Sequence, residues 1–174
     1  MKRILITLLV TILLTPSAVF SQSRNRSTTR SRTPARTQTQ PVSQVRTAGA
    51  TRVADQIKFL TRFIYLLGGV ASGIAQVDEA ARRNEASPAL VQQNQQSKAR
   101  VKTSIQGFRE SLDKLEIDFR ATPELQPYYI KLAGVAAGAA TAEEQAANNQ
   151  FDAAGRTLLN VVARLADVLV VMRQ

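Results

Sequence analysis

Three residue types are missing from this chain of 174 residues: it has no cysteine, no histidine and no tryptophan. Without cysteine, disulfides cannot form, and without cysteine and histidine the usual zinc sites and haem attachment through C-x-x-C-H are excluded. Cysteine nucleophiles and histidine-based acid–base catalysis are excluded for the same reason. We therefore expect a protein without a metal or cofactor that is not an enzyme.

Acidic residues are scarce in one part of the chain. The net charge is +10, yet residues 51–174 hold 15 basic and 13 acidic residues, a net charge of only +2. Residues 22–50 contain no acid and six arginines: Arg24, Arg26, Arg30, Arg32, Arg36 and Arg46. These arginines form a candidate anion-binding tail, because guanidinium groups pair well with phosphate and carboxylate oxygens. The alternative is a solvated linker that binds nothing.

The N-terminus has the pattern of an export signal. Lys2 and Arg3 precede an apolar run, Ile4 to Leu14, and small residues follow as far as Ser21. We expect a signal peptide over residues 1–21 and an exported product, periplasmic or secreted. An uncleaved membrane anchor is the alternative, but the apolar stretch is short for a span. No cysteine follows the run, so a lipoprotein is not expected.

The segment between the signal and the domain is poor in apolar residues. Residues 22–50 are mostly Ser, Thr, Arg and Gln, and such a composition buries too little surface to offset its conformational entropy. We expect a disordered linker there. It contains no aromatic residue on which bases could stack, so sequence-specific nucleic-acid binding is disfavoured.

Residues 51–174 predict an all-α fold of four helices. The first follows Thr51 as N-cap to about Glu85, and its apolar row recurs every three or four residues: Val53, Ile57, Leu60, Ile64, Leu67, Ala71 and Ile74. Arg62 and Gln76 in its most apolar part favour a soluble core helix over a membrane span. Short connections predict an up-down-up-down four-helix bundle with a longer first hairpin.

The remaining helix boundaries follow from turn and capping residues. Ser87-Pro88 predicts the start of the second helix, which runs to about Arg120. The third helix begins at Pro123 or Pro127, and the sequence does not distinguish these two starts. The fourth runs from Phe151 to about Arg173, with a broad apolar face.

Two pairings across the bundle are predicted from residue levels along the helices. Asp78 and Lys98 lie on the apolar rows of the first two helices and could form an ion pair at their seam; the alternative is that both are solvated. Counting residues from the helix ends places Gly69, Gly73 and Gly155 at about the same height along the bundle axis. This predicts a close contact between the first and fourth helices. The longer first hairpin should extend beyond the other two helices over residues 76–98.

Two clusters of acids remain, Glu143-Glu144 and the group Asp113, Glu116 and Asp118, and we expect solvated faces for both. A di-iron site in a helical bundle needs Glu-x-x-His motifs, which a chain without histidine cannot have.

Three functions fit these observations. The first is an exported structural adaptor or binder of a protein partner in the bacterial envelope, and a homo-oligomer is compatible with it. The second is an anionic-surface binder, for lipid or envelope polymer, that acts through the basic tail. The third is a carrier of a small ligand or lipid, with a cavity in the region of the third helix that is rich in Ala and Gly. The partner itself is not identified by the sequence.

Overall fold

The computed structural model describes residues 41–174, which contain five helices and no strand. The helices are α1 (Val42–Arg82), α2 (Pro88–Ala121), α3 (Gln126–Leu132), α4 (Val135–Ala147) and α5 (Phe151–Met172). The prediction of an all-α protein is confirmed. The predicted signal peptide and residues 22–40 of the predicted linker lie outside the described residues.

The four long helices form a helical bundle in which each one packs against two others: α1 on α2 and α5, and α4 on α2 and α5. Neighbouring helices are antiparallel. Arg52 near the start of α1 pairs with Asp118 near the end of α2, whereas Asp78 near the end of α1 pairs with Lys98. Similarly, Gln145 near the end of α4 accepts a hydrogen bond from Thr157 near the start of α5.

The core consists of the apolar rows of these helices. Alternate steps of three and four residues bring one face of each helix inward. The largest fully buried side chains include Leu60 of α1, Ile105, Leu112 and Phe119 of α2, and Leu158 and Leu165 of α5. The rings of Phe63 and Phe108 add an aromatic contact between α1 and α2, with centroids 5.0 Å apart.

The first helix starts earlier than predicted. Residues 42–50 are the first turns of α1, so the expected linker over 22–50 is wrong for this part, and Thr51 is not an N-cap. The reason is tertiary packing: Gly49 is buried, and a Cβ placed there would lie 2.8 Å from Leu125 Cδ2 and 3.2 Å from Met172 Cε. Arg46 is consequently an exposed residue of a helix rather than part of a disordered tail.

The third predicted helix is divided into α3 and α4. Of the two prolines, it is Pro127 that occupies the first turn of α3. Gly134 has φ +88°, a left-handed conformation that an α-helix cannot contain, and α4 restarts directly after it. The carboxylate of Glu116 from α2 accepts a 2.8 Å hydrogen bond from the backbone N–H of Ala136 in the new first turn. Glu116 therefore caps α4, which corrects the expectation of a solvated face for this residue.

The second and fourth predicted helices start where expected. The hydroxyl of Ser87 accepts a hydrogen bond from the backbone N–H of Leu90, as an N-cap does, and Pro88 occupies the first helical position. The fourth helix, α5, begins at Phe151 and ends at Met172.

The α1–α2 hairpin continues past the ends of α4 and α5. Lys102 of α2 reaches the carbonyl of Ala147, the last residue of α4, and Leu67 of α1 faces Gly155 near the start of α5. From Leu67, α1 continues for about 22 Å to Arg82, whereas α5 continues from Gly155 for only about 6 Å to Phe151, so the hairpin extends about 16 Å past the start of α5. Residues 75–93, which include no buried residue, are called the hairpin tip below.

The predicted glycine contact between the first and fourth helices is only partly present. A Cβ on Gly155 would lie 3.5 Å from Leu67 Cδ2, but Gly69 and Gly73 are exposed and a Cβ on either would meet nothing within 4 Å. Gly155 lies against Leu67, about one turn before the position that the sequence predicted, and each of the other two glycines lies two residues after a buried residue, Leu67 or Ala71. Two residues correspond to about 200° of helix rotation, so both glycines point away from α5.

A tighter contact at a glycine lies between α4 and α5. A Cβ on Gly138 of α4 would lie only 2.9 Å from Val161 Cγ2 of α5. The small residues Ala139, Ala142 and Ala146 on the same helix are fully buried. On the outer side of this Ala/Gly region, where a ligand cavity was expected, a depression of about 320 Å³ is open to solvent and is lined in part by Gly134, Gly138 and Arg164.

Candidate functional site

A polar cluster joins the two arms of the hairpin where the tip begins. Lys98 Nζ donates a 2.7 Å hydrogen bond to Asp78 Oδ1, and Asn94 Nδ2 donates one of 2.8 Å to the same oxygen. Asn94 Nδ2 also lies 3.4 Å from the carbonyl oxygen of Ile74. The structure therefore brings together the two residues that the sequence paired, and adds Asn94. We call Asp78, Asn94 and Lys98 the polar seam.

Burial makes the polar seam different from an ordinary surface ion pair. The Lys98 side chain is 11% exposed and that of Asp78 is 36% exposed, and Asn94 is buried. A buried ammonium needs a partner, because water cannot replace the lost hydration. Polar groups at core positions of paired helices fix their register. The seam can therefore hold the two arms of the hairpin aligned where α4 and α5 no longer support them.

The sequence contained a signal for Asn94. It lies one turn before Lys98, and both residues continue the apolar row of α2 toward the start of that helix. A polar side chain at such a position needs a partner, and Asp78 is the polar residue on the facing row.

A shallow groove runs along the hairpin beside the polar seam. Its volume is about 250 Å³, and it is open to solvent. Its lining combines apolar and amide side chains: Val70, Gly73, Ile74, Val77, Leu90, Gln93, Asn94 and Ser97. The arrangement suits an extended contact better than an enclosed small molecule, which normally fills a deep cavity.

One side of α1 carries apolar residues that the bundle does not cover. Phe59 and Leu66 are 59% and 58% exposed, and Val70 is 40% exposed. Their spacing of seven and four residues places them on one side of the helix. With the exposed residues Arg62, Gly69 and Gly73 they form what we call the outer α1 face. The two glycines predicted to contact α5 thus belong to this exposed surface.

Some of the acids that were expected on solvated faces form ion pairs, within α2 or between helices, whereas Glu144 remains exposed. Arg109 of α2 lies between two carboxylates, 3.1 Å from Asp113 Oδ2 and 2.7 Å from Glu143 Oε2. The second distance is short, but the N–H of Arg109 Nε is not aligned for a hydrogen bond. Among residues 41–174, no group of three or more acidic side chains is arranged to hold a metal ion.

Of the six candidate tail arginines, only Arg46 belongs to the described residues. It is exposed on α1. The other five lie outside the described part of the chain: Arg24, Arg26, Arg30, Arg32 and Arg36. The prediction of an anion-binding tail therefore rests on the sequence alone.

Comparison with known proteins adds no relative: no family model, curated protein or solved structure matches the chain.

Proposed function

We propose that this chain is an exported, non-enzymatic helical-bundle protein that binds a protein partner, or acts as a structural adaptor, in the bacterial envelope. The proposed architecture is an up-down-up-down four-helix bundle with a longer first hairpin, preceded by a signal peptide and a basic linker. The antiparallel contacts of α1, α2, α4 and α5 support this topology. The absence of cysteine and histidine supports a role without catalysis.

The observation that carries this proposal is the protruding hairpin tip. Residues 75–93 contribute no buried side chain, so the core does not require them. The polar seam nevertheless aligns the two arms at the base of the tip. An aligned projection of about 16 Å, with a partly apolar groove on its side, suits contact with another protein.

Site-specific photo-crosslinking tests this proposal. A photoreactive residue at Gln92, exposed on the tip, should give a crosslinked product of defined mass in cells that make the protein. The same residue at Asn160, exposed on α5, is the matched control and should not give that product. Equal crosslinking from the two positions, or none from Gln92, would contradict partner binding at the tip.

A second candidate function is weak attachment to an anionic surface through the basic tail. The six arginines and the absence of acids in residues 22–50 favour it. Each basic residue near an anionic membrane contributes about 1 kcal/mol, so the arginines together give at most about 6 kcal/mol before the cost of ordering the segment. Such an attachment would be reversible and sensitive to salt.

A further inference from the structure

Many apolar side chains of α1 are exposed on the surface of the domain. By length and composition α1 could cross a membrane, yet only 22% of its most apolar stretch is buried in the domain. A helix that is apolar because it forms a soluble core would be mostly buried. Here Phe59, Leu66 and Val70 remain uncovered on the outer α1 face, while Tyr65 nearby is 82% exposed.

Basic residues outnumber acids around the outer α1 face, and its one carboxylate, that of Asp55, is already paired with Lys58. Residues 56–77 of α1 contain Lys58 and Arg62 and no acid, over about 33 Å of helix. The facing part of the chain, residues 86–109, contains four bases and no acid, although two of these bases, Lys98 and Arg109, are paired with carboxylates from elsewhere in the domain. Within residues 41–174, neither Arg62 nor Arg100 lies within ion-pair distance of a carboxylate. The partner that this surface fits is therefore apolar in part and negatively charged.

We propose that the outer α1 face docks on the surface of an anionic lipid bilayer, with α1 lying parallel to the membrane plane. The exposed apolar side chains would enter the boundary between headgroups and acyl chains, and Arg62 would extend to the phosphates. Gly69 and Gly73 have no side chain to keep the helix backbone away from the lipid. A full span is disfavoured, because the opposite side of α1 is committed to the core through Leu60 and Leu67.

Electrostatics favours lipid over a second copy of this chain. In a two-fold dimer built on the outer α1 face, the bases of one protomer would approach those of the other, and the carboxylate of Asp55 on this face is already paired with Lys58 of its own helix. Anionic headgroups instead supply the missing negative charge. This contact does not use the basic tail, and it shares only Val70 and Gly73 with the groove proposed to bind a protein partner.

The test uses sedimentation with vesicles of equal parts phosphatidylglycerol and phosphatidylcholine, compared with pure phosphatidylcholine. The domain over residues 41–174 has its own core and forms one compact unit, so it is assayed beside residues 22–174. Residues 41–174 should bind the anionic vesicles, and less at high salt. Leu66→Glu should lower the partition coefficient about tenfold, because it replaces an inserted apolar group with a carboxylate. Ile117→Glu is the matched control, exposed on α2 outside this face, and should change little.

A fluorescent reporter gives a readout that does not depend on Leu66→Glu folding correctly. Because the chain has no tryptophan, Phe59→Trp introduces a single indole on the outer α1 face and Ile117→Trp a single one elsewhere. The emission of the first should shift to shorter wavelength with anionic vesicles, and that of the second should not. No shift at position 59, or equal binding by Leu66→Glu and the wild type, would overturn the proposal. A dimer of residues 41–174 that ignores vesicles and is lost in Leu66→Glu would overturn it in favour of a second copy.

Discussion

Removing Asp78 should destabilise the hairpin more than removing Lys98. Asp78→Ala takes away the oxygen that accepts hydrogen bonds from both Lys98 Nζ and Asn94 Nδ2. It leaves a buried ammonium without its counter-charge. The opposite change, Lys98→Met, keeps the apolar stem of the side chain and leaves a carboxylate that still has Asn94 and solvent.

The magnitudes follow from burial. Breaking a fully buried ion pair by removing one partner costs about 3–5 kcal/mol, whereas an exposed pair contributes about 0–1 kcal/mol. With the Lys98 side chain 11% exposed and Asp78 36% exposed, the pair lies between these limits. We expect Asp78→Ala to cost about 2 kcal/mol, within the range for leaving a buried polar group unpaired. Lys98→Met should cost about 1 kcal/mol or less, since the carboxylate remains partly solvated.

The double variant shows whether the two residues act through each other. When Lys98 is replaced by methionine, Asp78→Ala no longer leaves a buried ammonium without its counter-charge. The double variant should therefore cost less than the sum of the two single changes, by about 1 kcal/mol.

Hydrogen exchange is the suitable assay because the polar seam lies outside the four-helix core. The hairpin can open locally without unfolding the domain, so amides of residues 75–98 should exchange faster in Asp78→Ala, while core amides near Leu60 and Leu112 should change little. Chemical denaturation of the whole domain would show a smaller effect. Equal acceleration by Asp78→Ala and Lys98→Met, or strictly additive effects in the double variant, would refute the argument.

Three further predictions concern the packing of the bundle. Gly138→Ala should destabilise the domain by about 1 kcal/mol in chemical denaturation, because overpacking against α5 exceeds the gain in helix propensity. Gly155→Ala has room for its Cβ and should stabilise the domain by up to about 1 kcal/mol. A change of the same sign in both variants would contradict the packing geometry. Glu116→Ala removes the cap of α4 and should cost about 1 kcal/mol, while Glu144→Ala at an exposed position should have little effect on the same denaturation midpoint. Replacing residues 80–91 with a short Gly/Ser turn should leave the thermal melting of the domain nearly unchanged, since none of them is buried, and unfolding of this variant would mean that the tip belongs to the core.

The sequence by itself determined the all-α class and the starts of α2 and α5. Period and capping are local properties, so the rows of α1, α2 and α5 and the cap at Ser87 could be read without knowledge of the partners. The level of residues along paired helices could also be counted, because the rise per residue is constant. That counting placed Asp78 opposite Lys98, as the structure has them.

Tertiary structure decided what depends on rotation around a helix and on distant contacts. Gly69 and Gly73 were predicted to contact Gly155 but face outward, since each lies two residues, or about 200° of rotation, after a buried residue. Residues 42–50 have a composition that suggests disorder, yet they are helical where Gly49 fits against Leu125 and Met172. Composition describes what a segment can bury alone, and it omits the surface that the rest of the chain offers.

The break between α3 and α4 has the same origin. Nothing in the local sequence around Gly134 required a left-handed residue, since a glycine can also continue a helix at a cost of about 1 kcal/mol. Glu116, distant in sequence, satisfies the backbone N–H of Ala136 that the break leaves without a helical partner. The sequence thus fixes the periodicity of each helix, and the fold decides where a helix is broken and which of its faces remains uncovered, because both depend on groups that only folding brings together.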